Sequence, residues 1–167
     1  MKHDSMRKLV LGALLAALVF VATYVVQIPS PTQGYVNLGD CFVLLAGFLL
    51  GPWYGAAAGG IGSALTDLLA GYAHYVPGTF VIKALVAIVA SLIYRAMHKK
   101  VAGAIVGGVL GEVMMVAGYF GYSGLILGKG LAAAASIPGN LVQGAVGLLA
   151  GVLLLIVVKR TKLETKI

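Results

Sequence analysis

Long apolar segments joined by short connections constrain the fold of this chain more than any other feature. The first runs for about 20 residues from Leu9 to Ile28, which is the length that an α-helix needs to cross a bilayer. Of the 167 residues, 60% are hydrophobic and only 10% are charged. A water-soluble domain of this size could not bury so many apolar side chains. We therefore predict one domain over residues 1–167, an all-α integral membrane protein of six transmembrane helices.

Proline, glycine and polar residues set the expected helix ends. The predicted helices cover about 6–27, 40–51, 55–69, 79–97, 101–122 and 137–158. Asp40 is expected to cap the second helix, and Trp53 and Tyr54 are expected to continue it to the headgroup level. The third helix is rich in glycine and alanine, so we expect it at the centre of the bundle.

The positive charges predict the orientation of the bundle. The net charge is +7, and ten of the twelve cationic residues flank the apolar segments in three clusters: Lys2, Arg7 and Lys8; Arg95, Lys99 and Lys100; and Lys159, Arg160, Lys162 and Lys166. This pattern fits the positive-inside rule better than nucleic-acid binding. Both termini are therefore predicted to be cytoplasmic, with the connections at 29–39, 70–78 and 122–136 outside. The first apolar segment lacks a cleavage motif at its end, so we expect a retained helix.

Ionisable residues inside apolar helices are costly, at about 2.5 to 3.5 kcal/mol per charge at a helix centre, and need partners or a function. Asp67 and Lys83 both lie near the connection at 70–78, and we predict that they form an ion pair. The sequence leaves open whether this pair is structural or contacts a ligand.

Glu112 lies near the middle of the fifth helix, so it should face the bundle interior. Gly108, Glu112, Met115, Tyr119 and Tyr122 follow one another at spacings of three or four and share one helix face. We interpret this face as the wall of a cavity that includes Glu112 and Tyr119. The alternative is a protonated Glu112 that only bonds a neighbouring helix.

Polar and aromatic residues gather where the outer ends of the other helices are expected. Asn140 and Gln143 place two carboxamides on one face of the last helix, which suits a neutral polar heterocycle, although they could also join two helices. The outer connections add ring-bearing and amide residues that could stack on a ligand or serve as interfacial anchors: Tyr35, Asn37, Tyr72, His74 and Tyr75.

The chain carries no motif that indicates an enzyme. No nucleophile, base and orienting group occur together, no phosphate loop is present, and no residues have metal-ligand spacing, so we expect no metal and no cofactor. The single cysteine, Cys41, is expected to serve packing. Because nothing here could hydrolyse ATP, active transport would need another polypeptide.

Three segments resemble the substrate-binding S components of energy-coupling factor (ECF) vitamin transporters. They are ALLAA at 13–17, GYVNLGD at 34–40 and LLGPWYGAAAGGIGSA at 49–64, and the similarity extends over nearly the whole chain. The resemblance implies a six-helix protein of the bacterial or archaeal plasma membrane. It would bind a vitamin with high affinity from outside, between the first outer loop and the last three helices.

The resemblance also implies partners. Alanines four residues apart on the first helix dock on the transmembrane T subunit in this family, and Ala13 and Ala17 match that spacing, although Gly12 and Ala16 form a parallel pair. Two ATPase subunits would drive transport, and the loops 29–39 and 70–78 would close over the ligand.

The implied ligand is riboflavin, a hydroxymethylpyrimidine or a pyridoxine-like vitamin. With Phe80 and Tyr119 as the main interior aromatic residues, a single-ring ligand is favoured. Two other hypotheses about the function stay open. One is a self-sufficient ion- or proton-coupled carrier that uses Asp67, Lys83 and Glu112, and the other is a membrane enzyme or assembly scaffold.

Overall fold

The structure, a computed structural model, describes residues 2–30 and 34–161. Lys162 and Lys166 of the third basic cluster, and Pro31 of the first outer connection, lie outside the described residues. Within these ranges the chain forms six α-helices and one small β-hairpin, so the predicted all-helical class is confirmed.

The helices lie close to their predicted positions. They are α1 Lys2–Val25, α2 Asp40–Leu50, α3 Pro52–Leu69, α4 Val76–Ala96, α5 Val101–Gly121 and α6 Ile137–Arg160. A π-helical turn, Tyr122–Ile126, and a 3₁₀ helix, Gly130–Ser136, connect α5 to α6.

Four segments of the described chain are long and apolar enough to cross a membrane: Ser5–Val25, Val76–Ala96, Val101–Ile126 and Gly130–Arg160. The remaining two helices are shorter or less apolar, and α2 has only 11 residues. The structure therefore supports a membrane protein with six helices, and six full crossings stay a prediction.

The short helix α2 occupies the centre of the bundle. It packs against α1, α3, α4 and α6, and nine of its 11 residues are buried. The expectation that the third helix would be central is wrong, because α3 contacts only α1, α2 and α4 closely. A helix enclosed by protein on all sides need not match the bilayer thickness, which explains how a helix this short can be accommodated.

Glycines allow the close packing around α2. A Cβ atom on Gly47 would lie 2.6 Å from the backbone oxygen of Ala87 in α4. Gly51 has φ of +90°, a backbone conformation that favours glycine, and it ends α2. Trp53, which is 77% exposed, therefore belongs to α3 and does not continue α2 as predicted.

The first outer connection contains a hairpin that no sequence pattern predicted. Strand β1, Ile28–Ser30, pairs antiparallel with β2, Gly34–Val36, with Ile28 opposite Val36. Strand β2 also packs on α6, so the hairpin covers one end of the bundle.

The basic residues of the central and last clusters meet at the other end of the bundle. Lys159 donates a hydrogen bond to the backbone oxygen of Lys99, and Arg95 packs against Gly51. The cationic end and the hairpin end are thus opposite, as the predicted topology requires. The cytoplasmic orientation of the cationic end stays a prediction.

Candidate ligand-binding site

A cavity of about 60 Å³ opens at the hairpin end of the bundle. One water-sized sphere takes about 10–15 Å³ on this measure, so the space corresponds to about four to six such spheres. Its lining is mostly polar and aromatic: Thr23, Tyr35, Val36, Asn37, Ser63, Asp67, Tyr72, Tyr75, Thr79, Lys83, Tyr119, Ser123, Ser136, Gly139, Asn140 and Gln143. Polar groups that converge on one concavity are typical of a small-molecule site.

The structure brings most of the predicted binding residues to this cavity. Seven of them line it: Tyr35, Asn37, Tyr75, Lys83, Tyr119, Asn140 and Gln143. His74 and Glu112 are not among the lining residues.

The floor of the cavity is a buried ion pair. The Lys83 ammonium donates to Oδ1 of Asp40 and, at 2.9 Å, to the sulfur of Met115. Gln143 Nε2 donates to Asp40 Oδ2 at 2.6 Å. Asp40 is fully buried and Lys83 is 2% exposed, so each charge depends on the other for compensation.

This pairing corrects two predictions. Lys83 pairs with Asp40 rather than with Asp67, and Asp40 turns inward instead of capping α2, whose start has no side-chain cap. Both Asp40 and Asp67 were within reach of Lys83. Their positions in the sequence alone did not show which carboxylate would face the ammonium group.

Gln143 ties the first outer loop to α6. Its Oε1 accepts hydrogen bonds from the backbone N of Asn37 at 2.9 Å and from Asn37 Nδ2 at 3.2 Å. The Asn37 Oδ1 in turn accepts from the backbone N of Gly39 at 2.9 Å. Both ends of the Gln143 amide are therefore in use, whereas the half-buried Asn140 lies one turn nearer the cavity mouth.

Asp67 and Tyr35 join α3 to the hairpin across the cavity. The Tyr35 hydroxyl donates to Asp67 Oδ1 at 2.5 Å, and the Tyr35 ring packs on Tyr72 at a centroid distance of 5.1 Å. Burial, reinforced by the charge of Asp67, raises the pKa of the Tyr35 phenol far above its ordinary value. The phenol therefore stays protonated and keeps donating.

Tyrosines form the side wall. The Tyr119 hydroxyl donates to Thr79 Oγ1 at 3.1 Å, and the Lys83 ammonium lies 5.6 Å from the centre of the Tyr119 ring. The Tyr75 hydroxyl lies 2.9 Å from Ser123 Oγ. Phe80, expected in the interior, is 43% exposed and packs against Gly60 of α3, so that expectation is wrong.

Glu112 lies below the floor, not in the cavity. It is seven residues before Tyr119, about 10 Å deeper along α5, and the fully buried Met115 lies between them. Within the described chain, neither carboxyl oxygen of Glu112 has a hydrogen-bond partner, and its side chain packs against Gly144 of α6. The predicted pocket shared by Glu112 and the α6 carboxamides is therefore not formed.

His74 belongs to the outer cover of the site. Its exposed ring packs beside Tyr75, with centroids 4.8 Å apart, and its backbone oxygen accepts from the Tyr122 hydroxyl at 2.8 Å. These contacts hold the connection between α3 and α4 against the end of α5.

Small hydroxyl residues in the lining were missed by the sequence analysis: Thr23, Ser63, Thr79, Ser123 and Ser136. Serine and threonine are common at helix interfaces in membranes, where they often bond their own backbone. Thr23 does so, through a 2.6 Å bond to the Val19 oxygen. Their side chains therefore carry little recognisable signal.

A second concavity, of about 470 Å³ and almost entirely apolar, lies between α1 and α3. Ala13 and Ala17 line it and are exposed, whereas Ala16 packs so closely on α3 that a Cβ on Gly62 would lie 2.5 Å from its oxygen. Of the two small-residue pairs, Ala13 with Ala17 faces outward.

The fold and the cavity are those of a helical membrane protein with a polar cavity at one end. Among the described residues, no group of three or more His, Cys, Asp or Glu side chains could hold a metal ion. A sequence model of the family described as "ECF-type riboflavin transporter, S component" matches residues 3–160. The chain therefore belongs to this family of transport proteins, as the resemblance indicated, and the family is not one of enzymes.

Individual relatives agree with this assignment. The thiamine precursor transporter HmpT of Lactococcus lactis is 30% identical over 164 residues, which cover 96% of this chain and 93% of HmpT. A Pyrococcus woesei protein described as an uncharacterized protein in the gap 3′ region is 36% identical over 134 residues, covering 80% and 88% of the two chains.

A solved structure shares the fold. It is described as "Structure and mechanism of the S component of a bacterial ECF transporter", and it superposes with a TM-score of 0.75 at 21% identity. The match covers 94% of this chain and 98% of that one.

Proposed function

We propose that this protein captures a small heterocyclic vitamin or vitamin precursor outside the cell and delivers it to an ATP-driven module. The observation that carries the proposal is the cavity at the hairpin end, whose lining combines carboxamides, hydroxyls and tyrosine rings. Membership in the S component family supports the same role.

The proposed ligand is a single ring, of the hydroxymethylpyrimidine or pyridoxine type. The small volume of the cavity supports this choice, as does the relative HmpT, whose name describes a transporter of a thiamine precursor. Riboflavin is the second candidate, favoured by the description of the family. A tricyclic flavin would require the hairpin to move outward, because β2 and Tyr35 cover the cavity.

Five of the lining residues have proposed direct roles. The rings of Tyr35, Tyr75 and Tyr119 would stack on the faces or edge of the ligand, and the Asn140 carboxamide would bond its heteroatoms. The Lys83 ammonium, paired with Asp40, would form the floor beneath the ligand.

Four further residues would act on the ligand indirectly. The bond between Asn37 and Gln143 would hold the first loop over the bound ring. His74 would act as a cover, and Glu112 would act indirectly by packing beneath Lys83 and Asp40.

The proposed partners are a transmembrane T subunit and two ATPases on the cytoplasmic side. The apolar groove between α1 and α3 would receive a helix of the T subunit, with Ala13 and Ala17 as its outward seam. Methyl side chains allow a second helix to approach closely in a bilayer. Both termini would then be cytoplasmic, with the cavity outside.

Calorimetric titration of the purified protein with hydroxymethylpyrimidine, pyridoxine and riboflavin tests the ligand proposal. We expect one of the single-ring ligands to bind at a ratio of 1:1, and Asn140→Ala to weaken that binding at least about tenfold. Leu141→Ala is the matched control, because Leu141 is the next residue and is 53% exposed. Equal affinity of Asn140→Ala and the wild type would show that Asn140 does not contact the ligand.

Tryptophan at Ala13 or Ala17 tests the docking surface. Either variant should bind ligand normally but fail to copurify with its T and ATPase subunits. Leu14→Trp is the control, since Leu14 is 55% exposed and does not line the groove. Ligand uptake into liposomes by the protein alone would instead support the self-sufficient carrier.

A further inference from the structure

One buried oxygen atom at the cavity has no partner. Asp67 is 4% exposed and lines the cavity, its Oδ1 accepts from Tyr35, and its Oδ2 has no hydrogen-bond partner among the described residues. A buried acceptor left without a donor is destabilising, and more so when it carries charge. A bound ligand with a donor group would supply the missing hydrogen bond.

Three other deep polar side chains of the lining are already paired. Lys83 bonds Asp40, Gln143 bonds Asp40 and Asn37, and the Tyr119 hydroxyl bonds Thr79. Asp67 Oδ2 is therefore a buried acceptor on a lining residue that has no hydrogen-bond donor within the described chain.

The charges around the cavity point to the same ligand chemistry. Among the described residues, the floor and lining hold the carboxylates of Asp40 and Asp67 and the ammonium of Lys83, which Asp40 already compensates. Lys129, near the mouth, donates to the Tyr75 hydroxyl at 3.1 Å. A ligand with a carboxylate or phosphate would meet an unfavourable field beside Asp67, whereas an amino group or a protonated ring nitrogen would meet a favourable one.

We propose that Asp67 is the specificity-determining residue of the site and selects ring ligands that carry an amino or protonated nitrogen donor. This inference rests on the proposed function and narrows its substrate class to amino-substituted or cationic heterocycles. Tyr35 is a positioning residue, because its hydroxyl occupies Oδ1 and leaves Oδ2 available to the ligand.

The test compares two probes that differ in one group. The first is 4-amino-5-hydroxymethyl-2-methylpyrimidine, and the second is the same ring with a 4-oxo group. The wild type should bind the amino probe at least about tenfold more tightly, the range expected for a hydrogen bond to a charged acceptor.

Asp67→Asn should reverse this preference. The Tyr35 hydroxyl still requires an acceptor, so the amide oxygen should take the place of Oδ1 and the amide NH₂ the place of Oδ2. The variant would then present donors to the ligand and favour the oxo probe. Leu68→Ala is the control: Leu68 is the next residue on α3, is 54% exposed and does not line the cavity, so this variant should keep the preference for the amino probe.

Three outcomes would overturn the inference. A wild type that binds both pyrimidines equally would do so, as would an Asp67→Asn variant that keeps the wild-type ratio. Failure of the wild type to bind either pyrimidine would also reject it, while binding of pyridoxine or riboflavin in the same assay would leave the proposed function intact. Should Asp67→Asn fail to fold, the ratio measured for the wild type decides alone.

Discussion

The buried pair of Lys83 and Asp40 makes a quantitative prediction about stability. Replacing Lys83 with methionine keeps most of the side-chain volume but leaves the fully buried carboxylate of Asp40 with Gln143 as its one remaining partner among the described residues. Removing one member of a buried ion pair costs about 3–5 kcal/mol, because the other charge loses its compensation. We expect Lys83→Met to lower the free energy of unfolding by this amount.

The double variant separates the charge effect from packing. Asp40→Asn should also be destabilising, since it leaves the Lys83 ammonium, 2% exposed, without a carboxylate. Combining Asp40→Asn with Lys83→Met removes both charges, so its cost should be at least about 2 kcal/mol less than the sum of the single costs.

The assay is unfolding of the purified protein in mixed micelles of dodecyl maltoside and increasing SDS, followed by circular dichroism. Lys100→Met controls for the loss of a lysine, since Lys100 is exposed and its replacement should change the free energy of unfolding by less than about 0.5 kcal/mol. A cost below about 1 kcal/mol for Lys83→Met, or strictly additive costs in the double variant, would refute the assignment of this pair.

Further variants test other parts of the structure. Gly62→Ala should lower the melting temperature by several degrees, because its Cβ would lie 2.5 Å from the Ala16 oxygen, whereas Gly121→Ala, with no neighbour within 4 Å, should not. Glu112→Gln should change ligand affinity less than about threefold in calorimetry, since Glu112 lies outside the cavity; a loss above tenfold would return it to the site. Gln143→Leu should lower stability by about 1–3 kcal/mol in the SDS titration by leaving the buried Asn37 and Asp40 without this partner, and an unchanged value would argue against that network.

The helices followed from the sequence because apolar length, proline and glycine are local signals. The starts of α3 and α4 did not: each begins three residues before the predicted position, with Pro52 or Pro77 in its first turn. The hairpin was missed because its strands have three residues each and contain Pro29, which is too little for a periodic pattern. The central position of α2 was also missed. Small residues predict that a helix packs closely, but they do not predict how many other helices it contacts.

The site was predictable as a set of residue types at one end of the bundle, but not in its pairing or depth. Glu112 and Tyr119 do share a helix face, yet seven residues along that face separate them by about 10 Å. Helical periodicity predicts which side of the helix a residue faces. It does not predict how deep the cavity extends along the helix, which depends on the packing of the neighbouring helices. Lys83 could reach Asp40 or Asp67, and the choice depends on how α2 lies between α3 and α4.

A crystal structure of the protein grown with hydroxymethylpyrimidine tests the proposed site most directly. We expect electron density for one ring at the hairpin end, in contact with Tyr119 and Asn140 and with its amino group within hydrogen-bond distance of Asp67 Oδ2. A ring bound in the groove between α1 and α3, or anywhere else on the bundle, would contradict the proposed site.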